Sequence, residues 1–156
     1  AEIFAERMPL TAGNFLKLAR SGLYDGLHVH RVIDGFMVQF GCPHSRDPPS
    51  SQCGMGDPPD GPIADEFLKT AKIANTEGTL PMANSGPDSG SSQFFVDTAH
   101  NKQLDWFRWF GRVGKHPVFG QVIEGMDVVS QIECAPADGM DRPLEPIRVD
   151  RVEIDE

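Results

Sequence analysis

Five polar side chains, Arg31, Gln39, Asn84, Gln93 and His116, recur along this chain close to apolar ones: Phe36, Met37, Ala83, Phe95 and Leu104. They include no activated nucleophile and no carboxylate pair. The chain also lacks a GxSxG elbow, a phosphate-binding loop, a GxGxxG turn opening a helix and an HExxH pair, so hydrolysis and nucleotide chemistry lose their usual evidence. What this dispersed set offers is hydrogen bonding beside apolar surface, from residues that a fold must bring together. His28 and His30 alternate onto one face of an expected strand, and Cys42-Pro43-His44 adds two potential ligands nearby. Structural metal sites carry paired short ligand spacings, which are missing, so no metal is expected. Cys42, Cys53 and Cys134 are odd in number and lack CxxC spacing, which reads as reduced thiols rather than a disulfide framework.

The elements that must position these groups are short. Pro9 to Arg20 has a proline at its first turn, apolar Ala12, Phe15, Leu16 and Ala19 at helical spacing and Gly22 as a stop, which predicts an amphipathic helix. His28 to Ile33 and Phe36 to Phe40 flank Asp34-Gly35 as a β-hairpin. Residues 42 to 62, with Asp47-Pro48-Pro49 and Gly56-Asp57-Pro58-Pro59-Asp60-Gly61, read as a long surface loop. Further β-like runs at Thr79 to Met82, Gln93 to Thr98, Val118 to Ile123 and Ile147 to Ile154, with a helix at Met126 to Ile132, predict a mainly β fold: a barrel with two helices.

A chain of 156 residues without repeat or linker is expected to form a single domain, 1–156. Its 39% hydrophobic and 24% charged residues are ordinary globular values. A net charge of −9 and no basic cluster oppose a phosphate backbone, so nucleic acid is not an expected partner. No apolar run approaches the roughly 18 residues of a membrane span, and Ala1 to Arg7 lacks the regions of a signal peptide. The expectation is a cytoplasmic protein, or a nuclear one, away from membranes.

Two long stretches carry a specific resemblance. His30-Arg31-Val32-Ile33-Asp34-Gly35-Phe36-Met37-Val38-Gln39 resembles the hairpin of the cyclophilin-type peptidyl-prolyl cis-trans isomerases. Met82-Ala83-Asn84-Ser85-Gly86-Pro87, continuing to Ser91-Ser92-Gln93-Phe94-Phe95, resembles their second signature. The likeness runs on through Leu104-Asp105, Lys115-His116-Pro117-Val118-Phe119-Gly120 and Glu124-Gly125-Met126, over essentially the whole chain. It implies a closed antiparallel β-barrel capped by two helices, with substrate in a groove on the outer face. It also implies a cofactor-free monomer that turns X-Pro bonds in proline-containing peptides and flexible protein segments, as a folding catalyst or chaperone. The catalytic residues would be Arg31 and Gln39, and the substrate-binding ones Phe36, Met37, Ala83, Asn84, Gln93, Phe95, Leu104 and His116.

The chemistry of these residues suits that activity. Amide rotation faces a barrier of about 18 to 20 kcal/mol because the nitrogen lone pair is conjugated with the carbonyl. A guanidinium keeps its charge and offers several donors, so Arg31 can hydrogen-bond the prolyl nitrogen as it pyramidalises, mainly in the twisted state. Removing about 7 kcal/mol would give about five orders of magnitude in rate. Phe36, Met37, Phe95 and Leu104 would hold the proline ring, and His116 would close the rim. Of Gln39 and Gln93, one is suited to orient Arg31 and the other to hold substrate backbone, while the Asn84 main chain can pair with an extended peptide. A three-residue turn that includes Phe36 would set Arg31 opposite Gln39, within reach of an orienting hydrogen bond. The alternative is a non-catalytic proline-peptide module in a larger assembly; retention of Arg31 favours the enzyme.

Four departures from the family pattern have consequences. Gln103 stands where many members have Trp, which should weaken cyclosporin, a possible ligand, more than substrate. Trp106 to Gly114 looks like an insertion, expected as a buried cap, from which Trp106 or Trp109 would be able to fill the gap beside Gln103. Phe40-Gly41-Cys42 replaces the usual Gly-Gly-Asp, leaving selectivity beyond proline open. Pro81, without a backbone donor, is expected at an unpaired ladder position, and Ala1 to Phe4 matches only the tail of a strand, so the N-terminal part of the barrel is expected to be missing or truncated.

Overall fold

In a computed structural model, described for residues 1–46, 50–108 and 114–155, the chain forms six short strands and two α-helices. Asp47, Pro48 and Pro49 of the long loop, and Trp109 to Val113 of the insertion, lie outside the described residues. The order is β1 (Glu2–Ile3), α1 (Pro9–Arg20), β2 (Arg31–Ile33), β3 (Met37–Phe40), β4 (Thr79–Pro81), β5 (Phe94–Asp97), β6 (Val118–Gln121) and α2 (Met126–Glu133). Short 3-10 turns at Pro43–Ser45 and Lys102–Leu104 complete it.

Helix α1 starts at Pro9 without a side-chain cap of its own. Its orphan N–H groups are met from afar: the buried Glu66 carboxylate accepts from Leu10 N at 2.9 Å and Thr11 N at 2.7 Å. The inner face, Ala12, Phe15, Leu18 and Ala19, packs into the main core with Met8, Tyr24, Leu27, Leu80, Met82, Phe94 and Phe119. Phe15 sits at its centre, with ring centroids 5.3 Å from Tyr24, 5.2 Å from Phe94 and 5.3 Å from Phe119. Helix α2 buries no residue completely and rests Val129 and Ile132 on a smaller cluster of Val29, Val32 and Val38.

The strands make two three-stranded antiparallel sheets, β1-β6-β4 and β2-β3-β5. They meet at the Met82–Phe94 bridge, next to a hydrogen bond of 3.0 Å from Ala83 N to Gln93 O. The mainly β architecture with two helices is as expected, but the closed barrel is not what the described strands form. Strand β1 has two residues, which pair with β6, and among the described residues no ladder joins β1 to β2. Beside β1 lies a groove of about 810 Å³ lined by Ile3, Leu80, Phe94, Val96, Val122 and Val129. Ile147 to Ile154 also differs from expectation. It bonds the 26–29 segment, through Val29 N to Ile147 O (2.9 Å) and Val149 N to Leu27 O (2.7 Å), and makes one antiparallel bridge, Arg148 with His28, without becoming a ladder strand. Pro81 faces Val118 where the β4–β6 register shifts, so its missing donor falls at an irregularity in the pairing.

The hairpin register follows from its turn. Residues 34–36 form a three-residue connection, Gly35 takes a φ of +66°, and Phe36 N donates to Ile33 O at 3.1 Å. Arg31 is therefore paired with Gln39, and Gln39 with Phe95 on β5. Side chains alternate across a strand, so Val32, Val38, Phe94 and Val96 face the interior while Arg31, Met37, Gln39, Phe95 and Asp97 share the other face.

Candidate active site

On that outer face a cleft of about 200 Å³ is lined by Arg31, Phe36, Met37, Gln39, Ala83, Asn84, Phe95, Leu104 and His116. Nine of the ten residues singled out from sequence thus lie together, and the tenth, Gln93, lines an adjoining cavity of about 380 Å³ with Met55, Asp57 and Ser91. Met37, Phe95 and Leu104 are a buried apolar floor, with Phe36, Ala83 and Ile33 half-buried against it. Arg31 is 44% exposed at the rim.

The walls are held by hydrogen bonds from outside the cleft. His116 packs edge-on against Phe95, centroids 5.4 Å apart, and its Nδ1 lies 2.9 Å from the Met82 carbonyl. That contact places the ring proton on Nδ1 and leaves Nε2 as an acceptor, while burial lowers the pKa and keeps the ring neutral. Asn84 Nδ2 donates to Lys115 O at 2.7 Å, and among the described residues the Asn84 main chain bonds to nothing, which leaves both its N–H and its carbonyl open to a peptide.

Gln39 behaves differently from the sequence expectation. It stands opposite Arg31 on the same face, but its Nε2 donates to Gln93 Oε1 at 3.2 Å, and no hydrogen bond joins it to the guanidinium. Gln93 in turn donates to Gly54 O at 3.0 Å and Gly56 O at 3.2 Å. The two glutamines fasten the long loop to the sheet: Gln93 is two positions before Phe95, so its amide lies diagonally across from Gln39.

A buried polar network behind Phe36 and Leu104 escaped the sequence reading. Asn101 Nδ2 donates to Phe36 O (2.9 Å) and to Asp97 Oδ1 (2.5 Å), and Asp105 Oδ1 accepts from Asn75 N (2.7 Å) and Nδ2 (3.0 Å). Burial pushes the Asp97 carboxyl up to about 7, against the hydrogen bonds from Asn101 and Thr79. Thr79 Oγ1, 2.7 Å from Asp97 Oδ2 and 2.8 Å from Thr76 O, has one proton for the two oxygens, so the carboxyl is incompletely satisfied on that side. No motif marks Asp97 or Asn101; only the β5 register, which puts Asp97 opposite Met37, reveals them.

Gln103 is exposed beside Leu104, and Trp106 does not fill the space next to it, since it stacks on Phe67 with centroids 5.2 Å apart. His28, His30 and Cys53 line a separate cavity of about 110 Å³. Burial lowers His30 to about 4, and among the described residues no group of three or more metal-ligating side chains is placed to hold an ion.

Comparison with known proteins identifies the family. A family model for cyclophilin type peptidyl-prolyl cis-trans isomerases matches residues 1–154. The chain is 39% identical over 155 residues to peptidyl-prolyl cis-trans isomerase-like 3 of Gibberella zeae, covering 98% of this chain and 87% of that one. A peptidyl-prolyl cis-trans isomerase of Rhizopus delemar is 38% identical over 152 residues, 97% of this chain, which spans 22% of that longer protein. Among solved structures, a Cryptosporidium parvum cyclophilin crystallised in the presence of the dipeptide Ala-Pro superposes with a TM-score of 0.82 at 28% identity, over 99% of this chain and 90% of its own. The isomerase reading therefore stands above that of a mere binding module, and the chain belongs to the cyclophilin-type peptidyl-prolyl cis-trans isomerases.

Proposed function

We propose that this domain accelerates cis-trans isomerisation of X-Pro bonds in exposed or flexible protein segments, with Arg31 as its catalytic residue and no cofactor. The observation that carries the reading is a guanidinium at the open rim of a cleft with an apolar floor, whose lining contains no serine, cysteine, lysine or carboxylate. The proline ring would rest on Met37, Phe95 and Leu104, which the fold already buries, so the gain on binding comes from the apolar surface of the ring itself, at about 25 cal/mol per Å² removed from water. The preceding residues would run along the open Asn84 main chain as an added extended segment. As the amide twists, its nitrogen pyramidalises and gains a lone pair that Arg31 can bond, an interaction stronger in the transition state than in either planar isomer. Gln39, whose Oε1 has no donor among the described residues, would then accept from the guanidinium when substrate draws it inward. No covalent intermediate forms and no proton is transferred.

Such a domain would act on unfolded or flexible clients as a monomer, in the cytoplasm or nucleus. Cyclosporin would bind weakly, because Gln103 supplies neither an indole wall nor an N–H donor. The test is a proline-isomerisation assay on a short X-Pro peptide, comparing the intact chain with Arg31→Ala. Loss of one preorganised donor of this kind costs about 10²- to 10³-fold in kcat. Full turnover by Arg31→Ala would overturn the role of Arg31, and absent turnover by the intact chain would return the site to a proline-peptide binder.

A further inference from the structure

Asp141 lies outside the cleft lining, yet its Oδ2 is 3.6 Å from Arg31 Nε. Its backbone has a φ of +62°, the left-handed conformation, one of two such non-glycine residues among those described. Aspartate tolerates that region better than most residues but at a cost in strain, so something must hold it there. What holds it is a tight turn built on Asp138. Asp138 Oδ1 accepts from Met140 N (2.8 Å) and Arg142 N (3.0 Å), Asp138 N donates to Arg142 O (2.8 Å), and Asp141 N donates to Asp138 O (3.0 Å). The turn is also fastened to the catalytic strand, because Asp141 O accepts from Val32 N at 2.8 Å, one residue beyond Arg31.

We propose that Asp141 is a positioning residue for isomerisation, its carboxylate holding the Arg31 guanidinium from the Nε side so that the remaining N–H groups face the prolyl nitrogen. The inference rests on the catalytic role of Arg31 proposed above. An arginine 44% exposed at a rim otherwise samples many rotamers, and each productive encounter must select one of them. Gln39 does not restrain it, since that amide is held by Gln93. A carboxylate fixed by backbone bonds on both sides is a restraint that does not compete with substrate, because it approaches from outside the cleft. The pair is half-exposed at both ends, 44% and 46%, so it does little for stability, and its removal separates orientation from folding.

Asp141→Asn keeps a residue tolerant of left-handed backbone and removes the charge; Asp141→Gly removes side chain and strain together. Both variants should unfold close to the parent temperature and show kcat lower by about two- to fivefold, the range open to one exposed ion pair, with KM unchanged. Raising the salt towards 1 M should bring the parent's kcat down towards theirs, while theirs stays level, because only the parent has the pair to screen. In an Arg31→Ala background Asp141→Asn should have no further effect. Parent-level kcat in Asp141→Asn, a loss residing wholly in KM, or the same salt response in parent and variant would each overturn the inference. If Arg31→Ala itself left turnover intact, it is the catalytic reading that would fall.

Discussion

At the scale of single residues, the cleft distinguishes charge from shape. Arg31→Lys keeps a cation on β2, but an ammonium is a point donor that cannot address substrate, Asp141 and Gln39 from one plane. The expected outcome is loss of most turnover with unchanged thermal unfolding, checked by the peptide assay and circular dichroism. Gln103 is the residue whose effect should be specific to the inhibitor. It is exposed next to the floor residue Leu104, and Trp106 is committed to Phe67, so Gln103→Trp should tighten cyclosporin by about tenfold to a hundredfold, roughly 1 to 3 kcal/mol, and leave substrate turnover near the parent value. Titration of both proteins with cyclosporin decides it, and equal affinities would remove Gln103 as the determinant.

At the scale of elements, the long loop is held to the catalytic sheet by contacts no pattern announces. Gly41, where β3 runs into it, has a φ of +91°, and a Cβ there would stand 2.5 Å from the Ser92 carbonyl. Gly41→Ala should therefore destabilise the protein by more than about 1 kcal/mol and shift the chain just before Gln93, lowering activity as well; a denaturant midpoint and the peptide assay would show both. The elements that were legible are those whose signal is local. Helix α1 follows from its apolar spacing and its proline, and the Arg31–Gln39 register follows from a three-residue turn. The strand expected at 147–154 reduces to the single bridge at Arg148, because alternation is local while a ladder needs a partner along its length, which composition cannot supply. The Gln39–Gln93 hydrogen bond escapes the pattern for a similar reason. Pairing with Arg31 was visible, but the competing diagonal neighbour, Gln93, emerges only once β5 is in place.

At the scale of the whole molecule, two buried groups pull acid stability in opposite directions. His30 titrates at about 4 instead of 6.5, so the unfolded chain binds a proton that the folded one refuses; its contribution is complete above 6.5 and is lost as the pH falls towards 4. Asp97 titrates at about 7 instead of 3.8, so the folded chain keeps a proton that the unfolded one releases; its contribution is complete below 3.8 and is lost as the pH rises towards 7. Each group gives a slope of up to about 1.4 kcal/mol per pH unit, and over their shared window the slopes oppose. Asp97→Asn imitates the protonated carboxyl and removes one of them. The parent's denaturant midpoint should be nearly level between pH 4.5 and 6.5, as set by about these two pKa values, while the variant's climbs with pH. A variant curve as level as the parent's would mean that Asp97 is ionised in the folded state.

The bridge between Met82 and Phe94 lies directly beneath the cleft, with Arg31, Gln39 and Phe95 on one sheet and Ala83 and Asn84 in the strand connection that leaves the other. A peptide seated there spans the seam like a cross-brace, touching both halves of the molecule where their own ladder is thinnest. Its binding free energy then counts against any motion that parts the sheets, in proportion to RT ln(1 + [L]/Kd). The amides of Met82, bonded to Pro117 O, and Ala83, bonded to Gln93 O, become the reporters of occupancy: saturating X-Pro peptide should slow their hydrogen exchange more than that of α1, which no peptide in the cleft can reach.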